Sequence, residues 1–443
     1  MGPDFRKPEL DISMPASYQH TTTTAATEPL DERWWTVFND TELNQIVENV
    51  LHNNLDIKSA ATTILELRSL FRQTRADRLP SVNVQGETKR QRIIPGVETD
   101  SYNFSFPASF EIDLWGRLAR AEEAARAELM QVEENARTIA QTVVAEAITL
   151  YLDIESLERR IQITQHSIEN YQRNLTFVQR RYEGGLTSIL DLRQARRILA
   201  QAEASLPTLR QDLGTKQQKL AVLAGHYPET KPPRFQPEDY FTRLEPVPPG
   251  LPSELLLQRP DIRAAEAKLR SLNARVGVAT ASRFPRITLT GSFGYSSGEL
   301  DKLITSKGKL WNIALGAFQP LFDAGKLKAG QRAAEARYQQ GLTAYVKVVL
   351  TALSEVENAL LIRREQLQKR KRIITFLSEA RATQKVAESR YERGLVDYLT
   401  VLDAQQTRFQ AEENLVLVDL AILSNRVTLH RAIGGGWTDF TAT

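Results

Sequence analysis

One structural unit is written twice in this chain, and that restricts its fold more than any other feature. Arg181-Tyr-Glu-Gly-Gly-Leu186, continuing through Leu190, Ala195 and Gln201-Ala-Glu203 to Leu206, recurs as Arg390-Tyr-Glu-Arg-Gly-Leu395 through Leu399, Ala404 and Gln410-Ala-Glu412 to Leu415. Upstream, Asp56-Ile57-Lys58 with Pro80, Val82, Val84 and Gly86 matches Asp261-Ile262-Arg263 with Pro285, Ile287, Leu289 and Gly291. Gly116-Arg117-Leu118 matches Gly325-Lys326-Leu327 in the same order. The sequence therefore divides into an N-terminal segment (1–42), a first repeat (43–225), a linker (226–251), a second repeat (252–436) and a C-terminal tail (437–443). Pro228, Pro232, Pro233, Pro237, Pro246, Pro248 and Pro249 make the linker an extended crossover, because proline fixes its own backbone and cannot donate to a ladder.

Within each half the expected order is helix, strand hairpin, long helix, sharp turn, second long helix. From Arg117 to Glu183 there is neither proline nor glycine, and strong helix formers dominate. Such a helix is roughly 100 Å long at a rise of 1.5 Å per residue. Lys326 to Arg393 repeats the pattern, interrupted by Gly330 and Gly341. Both long helices end on glycine, Gly184-Gly185 and Gly394, residues free to take the left-handed conformation that closes a helix. On the returning helix Leu399, Leu402, Phe409, Val416, Leu420, Leu423 and Val427 form an apolar stripe at helical spacing. Taken alone, this pattern fits a soluble coiled-coil hairpin.

The hairpins, about 80–113 and 285–319, add a second constraint. Tyr102, Phe104, Phe106, Ala108, Phe110 and Ile112 alternate with mostly polar neighbours, as do Ile287, Leu289, Gly291, Phe293 and Tyr295. Val82 and Val84 open a third strand, and Trp311, Ile313, Leu315 and Ala317 make a fourth. No stretch approaches the 18 or so apolar residues of a membrane helix, so contact with a bilayer must use strands or a lipid. The alternation fits a membrane β-barrel wall, or else a half-buried soluble sheet. Four strands cannot close a barrel, and open edges in hydrocarbon would leave backbone groups unpaired, so a barrel demands several copies.

The composition argues mainly by exclusion. A net charge of +3 does not point to nucleic acid, and the absence of cysteine removes disulfides and thiolate chemistry. His20, His52, His166, His226 and His430 are scattered without ligand spacing. Neither Gly434-Gly-Gly436 nor Ala324-Gly-Lys326 completes a phosphate-binding motif, so no catalytic or metal-binding residue is expected. Met1-Gly2-Pro3-Asp4-Phe5 has no signal-peptide character, which reads as a cytosolic chain or a mature form with an added initiator.

Phe110-Glu-Ile-Asp-Leu-Trp-Gly-Arg117, Gln258-Arg-Pro-Asp-Ile-Arg263, Gln319-Pro-Leu-Phe-Asp-Ala-Gly-Lys326 and the duplicated Arg390-Tyr-Glu-Arg-Gly-Leu395 resemble the outer-membrane efflux (TolC-like) family. The resemblance is to its lipoprotein branch, which serves multidrug pumps of the resistance-nodulation-division type. It implies a mainly α protein with membrane β: an internally duplicated protomer, and a homotrimer forming a 12-stranded outer-membrane β-barrel continued by a long periplasmic α-helical barrel. The function implied is a passive exit duct of a tripartite multidrug or solvent efflux pump. Its partners would be a periplasmic adaptor (membrane fusion) protein, the inner-membrane pump and outer-membrane lipid, without nucleic acid. A type I secretion or metal-efflux duct of the same fold remains an alternative, as does a soluble coiled-coil structural or adaptor protein. The resemblance implies no cofactor, and a lipid anchor only if an N-terminal cysteine is acylated, which this sequence lacks. The segment up to Thr27, with its four threonines, fits the stretch after such an anchor or a plain disordered terminus.

Site residues also follow from the resemblance. Leu399 and Asp403, one turn apart after the second tip, would form the periplasmic gate, an apolar ring beside a carboxylate ring that binds cations or holds a proton; the first-repeat counterpart of Asp403 is Gln194. Asp191 would tie the two hairpins together through Tyr391, Arg390 or Arg393. Arg180, Arg181 and Glu183 would contact the adaptor, and Gly184, Gly185 and Gly394 would form the tip turns.

Overall fold

A computed structural model describes residues 2–9, 17–20, 33–94, 96–236, 241 and 259–434. Expectations for Pro237, Pro246, Pro248, Pro249, Pro252, Gln258, the threonine run 21–24, Gly435-Gly436 and the tail 437–443 lie outside the described residues. The elements in order are α1 (Thr41–Asn53), α2 (Leu55–Ala76), β1 (Ser81–Val82), β2 (Gln85–Ile94), β3 (Val97–Ile112), α3 (Arg117–Glu183), α4 (Ile189–Leu223), α5 (Pro260–Ala281), β4 (Arg286–Ser297), β5 (Lys309–Phe318), α6 (Lys326–Glu392) and α7 (Tyr398–Ile433). They form two compact units, and these do not follow the repeats. One takes Met1–Ile12, Ala60–Asn135 and Asp261–Val349, the other Ser13–Ser59, Ala136–Pro260 and Leu350–Thr443. Each unit draws corresponding pieces from both halves of the sequence. Among the described residues no helix is long and apolar enough to cross a membrane.

The first unit holds a single antiparallel sheet, in which β1 and β2 both pair with β3, β3 with β4, and β4 with β5. The strand expected to begin at Val82 is broken between Val82 and Gln85, but both pieces keep one register on β3, Val82 opposite Ala108 and Gly86 opposite Phe104. Residues directly opposite each other share a face. Cross-strand rows therefore collect the apolar side chains on one side: Ile112–Ile287–Ala317, Phe110–Leu289–Leu315, Ala108–Gly291–Ile313 and Phe106–Phe293–Trp311. The other face carries Ser105, Ser109 and Glu111 against Gly294, Thr290 and Thr288. The apolar face is open: Trp311 and Ile313 are both 72% exposed.

Beside the sheet, α5 packs on α6 at Gly341, where an added Cβ would sit 2.5 Å from a Leu272 methyl. Close packing explains this glycine, and α6 runs unbroken through Gly330 and Gly341, as a long helix over this stretch was expected to. The N-terminal residues 2–9 are held against this unit and do not behave as a plain disordered terminus. Pro3 O accepts from Asn273 at 3.0 Å, Asp4 pairs with Arg120 at 2.6 Å and Lys7 with Glu266 at 2.9 Å. Gly2, at φ 99°, lies against the Gly277 backbone, where a Cβ would come within 2.7 Å of Gly277 Cα.

In the second unit α1 is capped by Asp40, whose carboxylate accepts the amides of Glu42 and Leu43. Its buried Leu43 and Val47 join Trp34, Trp35, Val144, Ile148, Tyr151, Leu423 and Val427 in one core. Asn54 fastens the α1–α2 corner to the end of α4, its side-chain amide donating to Leu223 O at 2.9 Å. Further along, Ile154, Leu157 and Ile161 of α3 pack on Leu209 and Leu213 of α4.

Candidate functional site: the helical hairpin tips

Both hairpins turn by the same local chemistry. Leu186 N–H donates to Arg181 O at 2.8 Å and Gly185 N–H to Tyr182 O at 2.9 Å; Leu395 N–H donates to Arg390 O and Gly394 N–H to Tyr391 O, each at 2.9 Å. These bonds satisfy carbonyls that the helix end would otherwise leave unpaired. Gly185 and Gly394 take the left-handed conformation at φ 73° and 72°. Gly184 does not, and a Cβ there would meet only ordinary contacts, the nearest being Arg180 O at 3.5 Å. Of the three expected turn glycines, two are demanded by the backbone, and the Gly184 position carries Arg393 in the second repeat.

The returning helices start with equivalent caps whose roles are exchanged. In the first repeat Ser188 is the N-cap and Asp191 answers from the third helical position. In the second, Asp397 is the N-cap, accepting Thr400 N at 3.0 Å and Thr400 Oγ1 at 2.6 Å. Those bonds hold the Asp397 carboxyl below the usual carboxylate range. The Asp191 carboxylate accepts from Thr187 Oγ1 at 2.5 Å, Ser188 Oγ at 2.9 Å and Ser188 N at 3.2 Å. This corrects the expected tether within the chain: Asp191 serves its own helix start, and Arg390 and Arg393 are exposed and make no ion pair among the described residues.

The hairpins are joined instead through an aromatic core. Tyr171, Val178, Leu192, Ala195 and Ile198 of the first pack with Ala387, Tyr391, Tyr398, Val401, Leu402 and Ala404 of the second. Tyr391 and Tyr398 lie with ring centroids 5.4 Å apart, and Phe177 meets Tyr391 edge-on at 6.2 Å. Arg181, expected as an adaptor contact, turns inward: its guanidinium lies 5.2 Å from the Tyr391 ring centroid and 5.8 Å from Phe177. Arg180 and Glu183 remain exposed. Tyr391 Oη, Tyr398 Oη, Gln194 Oε1 and Gln405 Oε1 are buried without a hydrogen-bond partner among the described residues. Burial pushes the Tyr398 hydroxyl pKa well up, with the nearby Tyr391, Tyr171 and Asp191 adding to the effect. Tyr171, Tyr391 and Tyr398 lie on three different helices, so no spacing along the sequence brings them together.

Leu399 and Asp403 stand apart from this core. Tyr398, Val401, Leu402 and Gln405 form the buried side of α7, while Leu399, 55% exposed, and Asp403 share the opposite side one turn apart. Leu399 therefore drops out of the apolar stripe read along this helix. Its first-repeat equivalent, Leu190, is exposed in the same way.

The outer membrane efflux protein family pattern matches residues 46–226 and 251–435. The chain belongs to the outer membrane efflux protein family. It is 30% identical to the cation efflux system protein CusC of Escherichia coli over 99% of this chain and 95% of the relative. It is 32% identical to the solvent efflux pump outer membrane protein SrpC of Pseudomonas putida over 90% and 87%. Its fold superposes on the outer-membrane channel OprN with a TM-score of 0.93 at 29% identity, covering 99% of this chain and all of that one. The protein is thus an outer-membrane efflux channel with the fold of the trimeric channels, a β-barrel continued by an α-helical barrel. The exposed apolar face of the sheet is its lipid face. From Ile112 to Tyr102 it extends roughly 33 Å along β3, or about 25 Å of bilayer at a tilt near 40°. Beyond Tyr102 the same face turns charged, with Arg90 pairing Glu98 at 2.7 Å and Asp100 at 3.7 Å.

The second unit also carries an acidic cluster that the motifs did not signal. Tyr151 Oη donates to Asp40 at 2.7 Å. The Arg234 guanidinium pairs with the buried Glu158 at 3.0 Å and with Glu42, and lies 5.7 Å from the Tyr151 ring centroid. Glu155 sits among them. Burial pushes its pKa up to about 7, reinforced by the charges of Asp40 and Glu158 and opposed by Arg234.

Proposed function

We propose that this channel is the passive exit duct of a tripartite pump, closed at its helical tips by Leu399 and Asp403 and opened when the inner hairpins move apart. The observation that supports the gate is the placement of these two side chains. They are exposed on one side of α7, a turn apart, directly after the tip and opposite the side buried against the first hairpin. Three copies around an axis would set an apolar ring beside a carboxylate ring, which admits cations in preference to anions. Conduction needs no reactive group, so the reading requires neither catalysis nor a resident cofactor. The energy comes from outside the chain, from a resistance-nodulation-division pump in the inner membrane coupled through a periplasmic adaptor, which biases the tips toward the open arrangement. Arg180 and Glu183, exposed at the first tip, are the adaptor contacts in this reading. Relatives named for solvent efflux support small organic cargo, and the relative named for cation efflux supports the second reading, a metal-efflux duct.

Single-channel recording in planar bilayers tests the gate. Small, cation-selective conductance should rise several-fold in Leu399→Ala and in Asp403→Ala, and Asp403→Ala should also lose cation preference. Conductance that is already large and is unchanged by both substitutions would place the constriction elsewhere.

A further inference from the structure

The internal repeat specifies how one copy of the chain meets the next. The two hairpins of the sheet obey a single register once equivalent positions are matched. Gly86 corresponds to Gly291, and Gly116 to Gly325, which makes Phe104 the counterpart of Ile313. Applied to the pair Gly86–Phe104, this correspondence yields Gly291–Ile313, which is an observed pair of β4 with β5. Val82–Ala108 likewise becomes Ile287–Ala317, and Thr88–Tyr102 becomes Phe293–Trp311, both observed. The equivalence therefore holds in hydrogen-bonding register as well as in sequence.

One pairing within the chain has no second instance. β3 of the first repeat pairs with β4 of the second, whereas β5 and the outer edge of β1–β2 have no partner among the described residues. We propose that β5 pairs with β1–β2 of a neighbouring copy in the register that β3–β4 sets: Ala317 opposite Gly86, Gly316 opposite Glu87, Leu315 opposite Thr88 and Ile313 opposite Arg90 of the neighbouring copy. These are the images of Ala108–Gly291, Pro107–Ser292, Phe106–Phe293 and Phe104–Tyr295. The assignment rests on the trimeric barrel and deepens it to residue level. It keeps the faces consistent, since Leu315 and Thr88 both lie on the lipid face and Gly316 and Glu87 both on the other.

The strand roots support the same neighbour. Within the chain, Phe284 stacks on Trp115 with ring centroids 5.0 Å apart, and Trp115 Nε1 donates to Pro285 O at 2.8 Å. The counterpart of Phe284 is Leu79, 66% exposed, ahead of Pro80. At the root of β5, Leu321 is 98% and Phe322 90% exposed, apolar side chains left uncovered by the described residues. The assigned register brings Leu79 of the neighbouring copy to this root and covers them.

The chain has no cysteine, so paired cysteines test the register directly. Two double variants join assigned partners: Gly316→Cys with Glu87→Cys, and Leu315→Cys with Thr88→Cys. Adjacent pairs alternate in hydrogen-bonding type, so one of the two has the shorter separation. Two shifted controls are Gly316→Cys with Lys89→Cys and Leu315→Cys with Arg90→Cys. Within one copy the two positions lie three strands apart across the sheet and eight residues out of register along it, roughly 30 Å, too far for an internal disulfide. Detergent-purified trimers under mild oxidant should give dimer and trimer ladders on non-reducing gels from at least one assigned pair and little from the controls. Ladders from the shifted pairs alone would overturn the register while leaving the barrel in place. No ladder from any pair, in a protein still trimeric by light scattering, would overturn the β5 to β1–β2 seam. A protein monomeric before oxidation would remove the trimer itself.

Discussion

The Asp191 carboxylate accepts the Ser188 hydroxyl at 2.9 Å, and the Asp191 amide donates back to that oxygen at 3.2 Å. This reciprocal cap fixes where α4 begins. Ser188→Ala and Asp191→Ala should each cost about 1 kcal/mol of local stability, and the double variant less than their sum, because either loss dismantles the same box. Amide hydrogen exchange at residues 189–193 reads this. Conductance should stay near that of the unaltered channel in Asp191→Ala; an opened channel would show that Asp191 also restrains the gate.

The two glycines of the first tip should respond differently. Gly185→Ala forces a Cβ into the left-handed region and should destabilise the turn by about 1–2 kcal/mol, as should Gly394→Ala. Gly184→Ala should be neutral or mildly stabilising, since its backbone is ordinary and the added methyl meets only ordinary van der Waals contacts. Proteolytic nicking at the tips, compared across the three variants, separates them.

The hydroxyls of Tyr391 and Tyr398 are buried without partners among the described residues. Removing an unpaired buried polar group relieves its desolvation cost, so Tyr391→Phe and Tyr398→Phe should leave thermal stability unchanged or raise it by up to about 1 kcal/mol. Arg181→Ala, by contrast, strips a cation from above the Tyr391 ring and should cost roughly 1 kcal/mol at the tip. A clear loss of stability in Tyr391→Phe would mean that its hydroxyl bonds to another copy.

Glu155 sets a pH dependence. Its pKa of about 7 in the folded chain lies above the ordinary 4.5, so the folded state holds a proton that the unfolded state releases first. That contribution is complete below pH ~4.5 and is lost as pH rises through ~7, amounting to about 3 kcal/mol at most. Melting between pH 5 and pH 8 should show the decline, and Glu155→Gln should flatten it and stabilise the protein at pH 8.

Much of this protein is legible in residue order because its repeats use local rules. Helix formers without interruption give α3 and α6, left-handed glycines end them at Gly185 and Gly394, and alternation along Tyr102–Ile112 fixes which side chains share a face. Tertiary packing chose among groups that look alike in one dimension. Asp191 and Asp403 are both helix carboxylates, yet one closes a cap and the other stands exposed beside Leu399. Arg180 and Arg181 are neighbours, yet only Arg181 finds an aromatic face across the hairpin, on Tyr391. Glu155 carries no motif at all, and its altered titration exists because the fold buries it and brings Asp40 from another segment to join Glu158 of its own helix, with Arg234 opposing the shift. Backbone preference acts over a few residues and can be read along them, whereas charge and burial depend on distances that arise only when separate segments meet.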